Sequence, residues 1–570
     1  MSKWILIGPL VGVVCVALGL ILGYAVFPPM VKQKIIESVE LNKDTEQYER
    51  WKELPLPLDF KVYLFNVTNP AEIQMGEQPK VEEIGPFVYS QYRKKYNIRF
   101  SRDKERASYY QQMRFEFNAE KSYPLTEDDK VVVLNVQLNS ILQIIDKDFK
   151  QIVTNMTRGI EKQIDKTPVI NVVKRMLDRY TPLQSILQLV ESETPSFMPL
   201  INGEIGRVFG PTTSFFMETT PRQFLFEGVE FCKNPIGFAG TICDLIEKRN
   251  STTITRSSFG NSLSFSMFGH KNRTHDGLYE INTGIRRLDK LLKIEKWRNA
   301  RTLSMWKSDK HGAPSTCQYI NGTDATAAAP FRKENDNFYI FSSDICRSVQ
   351  LFYDNKIKYE GIEGYRYSTR DNFLSEVGPQ YGTECFCVNK IKNALTNDDG
   401  CLYPGAIDLT ECLDAPVVVT MPHFLDADER YGLLIDGLNP SHDKHKIFID
   451  IEPYTGAPLR GGKKVQFNMF LRKIDSITLT DKFNIPRLFP VVWVDEGLEL
   501  NEQMTNMIKN DLINVLTILD VVQWTLVGVG AAIAVCTLIW FVFAMKKKTV
   551  TKTTSVEPIY EGKTEVPQSS

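Results

Sequence analysis

The chain has 570 residues, a net charge of −1, and 43% hydrophobic and 24% charged residues, the composition of an ordinary folded protein. Its near-balance of charge provides no basic footprint for nucleic acid, and neither end carries a dominant charge run. A chain this long can bury a large core.

Residues 1–3 precede an uncharged run over 4–27, WILIGPLVGVVCVALGLILGYAVF, long enough to cross a hydrocarbon core of about 30 Å as a helix. A cleavable signal has an apolar run of roughly 7 to 15 residues before a small-residue cleavage site. This run is longer and ends in FPP, so an uncleaved anchor is expected. A second span, 524–545, is bracketed by Trp524 and by Lys546, Lys547 and Lys548, which place the tail 546–570 in the cytoplasm under the positive-inside tendency. Residues 28–523 then form a domain outside the cell, with both termini cytoplasmic and the protein in the plasma membrane.

Period-two alternation runs through much of that outer domain. Met113, Phe115 and Phe117 alternate with Arg114 and Glu116. Leu263, Phe265 and Met267 alternate with serines, and Val465, Phe467 and Met469 alternate with Gln466 and Asn468. Such runs predict antiparallel strands with one buried face, as do residues 61–68 and 447–451. Between about 138 and 205 the period changes: Ile141, Ile145, Phe149, Ile152, Met156 and Ile160 form one helical stripe. Thr167 before Pro168 and Thr181 before Pro182 look like helix starts. A helical bundle inserted into a β scaffold is expected. Its polar face, with Lys147, Lys150, Lys162 and Lys166, reads either as a solvated surface or as a docking surface for a partner or an anionic ligand. Met504, Ile508, Leu512, Val515 and Leu519 predict a last helix running into the second span.

Five N-x-[S/T] sequons, at Asn66, Asn155, Asn250, Asn272 and Asn321, mark expected glycosylation sites and agree with an outer location. Of ten cysteines, Cys15 and Cys536 lie in the spans and eight lie between them. In an oxidising compartment these form disulfides. The Cys385-Phe386-Cys387 spacing fits zinc poorly, and its two side chains point to one side of an extended chain, so each is expected to bond a different loop. His442 and His445 could share a helix face but read as part of a polar turn. Neither a G-x-S-x-G elbow nor a phosphate-binding loop is present. A receptor or carrier is expected rather than an enzyme, with no metal and no cofactor.

Several stretches closely resemble the class B scavenger receptor family, the group of fatty acid translocases, lysosomal integral membrane proteins and insect sensory neuron membrane proteins. They are KVYLFNVTNPAEI (61–73), VEEIGPFVYSQYRKKY (81–96), CQYINGTDATAAAPF (317–331), FSSDICRSV (341–349), MPHFLDADERY (421–431), GLNPSHDKHKIFIDIEPYTGAPL (437–459) and KKVQFNMFLR (463–472). FLFEGVEFC (224–232) and KNRTHDGLYEINTG (271–284) look most like the sensory branch. The resemblance implies an α+β fold: an antiparallel β-barrel ectodomain with an apical helical bundle and an internal apolar tunnel, held by two transmembrane helices. It also implies the pairs Cys317–Cys385, Cys346–Cys412 and Cys387–Cys401, which leaves Cys232 and Cys243 for each other.

The function implied is a cell-surface receptor or transporter that captures fatty-acid-derived odorants or pheromones and conducts them to the bilayer or to an odorant receptor complex. A soluble odorant-binding carrier could deliver them. General lipid uptake or clearance by support or other non-neuronal cells is the alternative. A lysosomal sorting receptor ranks last, because the tail has no acidic dileucine.

Overall fold

The computed structural model describes residues 4–147, 197–249, 251–257, 260–371, 373–376, 382–475 and 477–553. They divide into two units: Val39–Leu500, and the terminal segments Met1–Ser38 and Asn501–Ser570 together.

The larger unit is built on an antiparallel sheet. Among the described residues thirteen strands join it, and they curl into a nearly closed barrel. Its central run is His275–Asn282, Arg106–Phe117, Val81–Phe100, Leu58–Val67, Arg487–Glu499, Pro458–Leu471 and Phe448–Ile451, in that spatial order. Leu58–Val67 bridges the two halves of this run, with Val62 opposite both Phe87 and Val494. The strands foreseen at 61–68, 113–117, 263–267, 447–451 and 465–469 overlap the strands Leu58–Val67, Arg106–Phe117, Leu263–Phe265, Phe448–Ile451 and Pro458–Leu471, because β-branched and aromatic residues at every second position suit a half-buried pleat.

One expectation fails in a useful way. The alternation at 465–469 assigns Gln466 and Asn468 to solvent, yet both are 0% exposed. A short strand, Val418–Thr420, pairs edge to edge with this segment, and it and the turn that follows it take up both amide side chains. The Asn468 amide donates to the Val418 carbonyl at 3.0 Å and the Thr420 hydroxyl at 3.0 Å, and Gln466 Oε1 accepts from the His423 backbone N–H at 2.7 Å. Period two reports which residues share a face; it does not report what covers the other face.

Of the helical insertion, residues 136–147 are helical, and the helix Phe197–Phe209 follows later. Residues 148–196, and with them most of the expected bundle, lie outside the described residues. The first helix is anchored through polar groups: the Asn139 and Gln143 amides both donate to the Phe470 carbonyl, and Asp146 pairs with Arg472 at 2.8 Å.

The terminal unit contains two long helical runs, Trp4–Val39 and Glu502–Thr553, each interrupted by one π-helical turn, at Leu22–Val26 and Lys509–Ile513. Both are long and apolar enough to cross a membrane. They outrun the spans expected at 4–27 and 524–545. Pro28 and Pro29 do not stop the first: the helix Phe27–Val39 continues through them directly after the π turn. The two helices pack on small residues. A Cβ on Gly12 would lie 2.7 Å from the Gly530 carbonyl oxygen and 2.7 Å from the Ala534 nitrogen. Gly8 faces Thr537 and Gly19 faces Val527 in the same way. In lipid, such close backbone approach provides the van der Waals contact that holds helices together. Gly12→Ile should destabilise the helix pair by about 1–3 kcal/mol through overpacking, read as a lower denaturant midpoint of the purified full-length protein. Gly528→Ile, where nothing lies within 4 Å, should leave that midpoint unchanged; equal effects would refute the packing.

Candidate functional site

Alternation along five neighbouring strands aims one set of side chains into the barrel. Phe60, Met113, Phe115, Val465, Phe467 and Val494 form an apolar wall, joined by Phe268 from the loop after Leu263–Phe265. Their rings interlock edge to face, Phe60 on Phe115 at 5.1 Å and on Phe268 at 5.3 Å, and Phe268 on Phe467 at 5.9 Å. The cavity between them is about 20 Å³, room for about one or two water molecules. An acyl chain can pass only if these side chains move.

The other end of this cavity is ionic. Lys271, Asp344, Lys463 and Glu496 line it. Lys463 bridges Asp344 and Glu496, the latter at 2.5 Å; Lys271 also pairs with Asp344, and Arg93 pairs with Glu496 from behind. Burial alone would raise the Glu496 pKa, but Arg93 and Lys463 outweigh it and hold the carboxyl at about 2. Asp344 is likewise held well below the ordinary carboxylate value, burial being outweighed by Lys271 and Lys463. Further in, Lys95 is pushed down by burial despite Asp324 at 3.7 Å, and its ammonium lies over the rings of Trp51 and Tyr109. Gln91, 2% exposed, also lines the cavity; its Oε1 has no hydrogen-bond partner and its Nε2 reaches only the Met113 sulfur at 3.5 Å.

Local chemistry positions these groups. Lys463 and Glu496 sit on the adjacent central strands, directly opposite one another. Asp344 lies in the tight turn Ser343–Ile345, closed by Cys346 at φ +46° and held there by the Cys346–Cys412 disulfide and by Trp306 Nε1 donating to the Cys346 carbonyl at 2.6 Å.

A second cluster lies on the opposite face of the same strands. Tyr63 stacks on Trp493 at 3.8 Å, and Glu83 Oε2 accepts from Trp493 Nε1 at 2.7 Å and from His423 Nε2 at 2.5 Å. His445 stacks on His423 at 4.6 Å. Glu83, His423 and His445 are close enough together to hold a metal ion, but the tautomers oppose it. Each Nδ1 accepts a backbone N–H, from Asn439 on His423 and from Ser441 on His445. Each Nε2 therefore carries the proton, and neither ring keeps a lone pair for a cation. Burial lowers the His445 pKa to about 4, so this imidazole is neutral at pH 7.

The structure brings together Cys317 with Cys385, Cys346 with Cys412, Cys387 with Cys401, and Cys232 with Cys243. Cys385 and Cys387 thus bond different loops. Asn66, Asn272 and Asn321 are half-buried. Asn66 Oδ1 accepts the Val132 N–H at 2.8 Å and Asn272 Oδ1 the Phe115 N–H at 3.1 Å. Asn155 and Asn250 lie outside the described residues, as do Lys150, Lys162 and Lys166. Lys147 is tied to Glu411 at 3.0 Å and to Asn389 at 3.2 Å. The sequence reading missed the cavity's polar groups. The signal was present: Gln91, Arg93 and Lys95 share parity with buried Tyr89, Lys463 with Val465, and Glu496 with Val494 and Val492. Charges in phase with a buried face need partners on the facing strands.

A model of the CD36 family matches residues 10–541. The chain belongs to the CD36 family. Similar members include "Sensory neuron membrane protein 2" of Anopheles gambiae, 52% identical across 92% of this chain and 91% of that one. The protein of the same name in Aedes aegypti is 50% identical across 93% and 98%, and that of Drosophila melanogaster 44% identical across 95% and 98%. As a CD36-family member with two apolar terminal helices, the chain is a two-span membrane protein of a lipid-binding receptor family.

Proposed function

We propose that this CD36-family protein is a receptor that takes fatty-acid-derived odorants or pheromones into its barrel and passes them to the bilayer or to an odorant receptor complex. The carrying observation is an aromatic-walled cavity inside a barrel whose chain ends in two membrane-spanning helices. Each CH₂ taken out of water is worth about 0.8 kcal/mol, so an oily ligand partitions into such a wall once the side chains yield. The full-length likeness to sensory neuron membrane proteins supports the sensory assignment over general lipid clearance. In this reading residues 28–523 face the exterior of the plasma membrane, both tails are cytoplasmic, a soluble odorant-binding carrier delivers the ligand, and Asn66, Asn155, Asn250, Asn272 and Asn321 carry glycans. The reading makes no use of catalysis, metal or cofactor.

Val465→Trp fills the cavity from its wall. Uptake of tritiated hexadecyl acetate by cells expressing the full chain should fall at least tenfold with surface levels unchanged. Undiminished uptake at normal surface level would overturn the route through the barrel.

A further inference from the structure

Arg347 opens the strand Arg347–Tyr359 and is only 6% exposed. It shares parity with the buried Val349 and Leu351, so its side chain is carried inward with theirs. The face of its guanidinium is taken up, by the Phe386 ring at 4.1 Å and the Phe373 ring at 5.9 Å from Cζ. Its edge is not. The five N–H bonds of a guanidinium lie in its plane, and here Nε and Nη1 are buried without an acceptor. Among the described residues no carboxylate pairs with Arg347. Asp344, three residues earlier, is committed to Lys271 and Lys463. Glu376, three residues after Phe373, accepts the Leu402 and Asp408 N–H bonds, and burial and Asp408 raise its pKa to about 8. It is therefore mostly uncharged at pH 7.4. Burial alone lowers the Arg347 pKa, to about 9, so the guanidinium keeps its charge at that pH. A buried charge without a counter-charge is costly.

A hydroxyl shares this position. Ser342 is the direct cross-strand partner of Arg347, which puts both side chains on one face with Cβ atoms about 5 Å apart. Ser342 Oγ is also buried without a partner. We propose that Arg347 and Ser342 bind a small monovalent anion of the size of chloride, which supplies the missing counter-charge. One negative charge balances one guanidinium, whereas a dianion would leave a buried charge over. A spherical anion accepts N–H and O–H bonds arriving from different directions. Its two ligands flank the tight turn Ser343–Ile345, so the anion braces the turn that presents Asp344 to the barrel cavity. The site is separate from the lipid route and stands without it.

The test follows thermal unfolding of the full-length protein in detergent at pH 7.4, with sodium gluconate exchanged for sodium chloride at constant ionic strength so that screening stays fixed. An ion that binds only the folded state raises the midpoint in step with its concentration over its dissociation constant. The wild type should gain about 2 °C or more in chloride. Arg347→Met removes the charge, keeps an apolar stem against both rings, and should lose most of that gain. Ser342→Ala keeps the guanidinium and should need about threefold to tenfold more chloride for the same gain, the cost of one hydrogen bond. A wild type indifferent to the exchange overturns the site, as does a full gain in Arg347→Met. Should Arg347→Met not fold, an unshifted chloride dependence in Ser342→Ala overturns it instead.

Discussion

Glu496→Ala should lower the stability of the full-length protein by about 3–5 kcal/mol, because it strips the anion shared by two buried cations. Arg93 and Lys463 both lean on this carboxylate, and its side chain is only 9% exposed. After the change, Asp344 alone faces Lys463 and Lys271, and Arg93 loses its partner. Glu496→Gln keeps an acceptor and should cost less. The denaturant midpoint of the protein in detergent measures both; a loss below about 1 kcal/mol for the alanine variant would mean that water reaches the cluster and screens it. The wild-type protein should show the same group in its acid limb. The Glu496 carboxyl is held at about 2, below its ordinary 4.5. Its contribution is therefore complete above pH 4.5 and drains away as the pH falls toward 2. Glu496→Gln should flatten that limb.

Removing the Cys346–Cys412 bridge with paired serines should cost about 4 kcal/mol by the loop-closure relation. It closes a loop with a sequence separation of 66, whereas Cys232–Cys243 closes one of 11, for which the same relation predicts about 3 kcal/mol. The ordering is the sharp part of the expectation. Entropy released to the unfolded chain grows with loop length, so the long bridge must cost more than the short one in the same denaturant assay. The long bridge also holds the turn that carries Asp344, so its loss should weaken ligand binding in the cavity. The short bridge closes a different loop, and its loss should leave binding within about twofold. Equal stability costs, with binding untouched by either, would contradict both the entropic account and the coupling to the site.

How far the sequence could be read depended on the range of the interactions involved. The strands at 61–68 and 465–469 and both apolar spans were legible because each is a local pattern, an alternation or an uninterrupted apolar run. The ends of the spans were not, since nothing local announces that helix continues through Pro28. Gln466 looked like a solvent residue because the turn whose His423 N–H it accepts comes from far along the chain. The eight bridging cysteines could be counted, but geometry alone left their partners open.

Residue order on its own determined that this chain has two apolar helices at its ends, a β-rich middle and an even set of cysteines, because hydrophobic period and run length act within a few residues. It could not determine that Gln91 from one hairpin, Lys271 and Asp344 from separate turns, and Lys463 and Glu496 from a pair of late strands would meet at one end of a cavity. Only the closing of the barrel does that. It converts sequence separations of up to about four hundred residues into hydrogen-bond distances, and in a low-dielectric interior it sets Arg93 and Lys463 against Glu496 and Lys271 against Asp344.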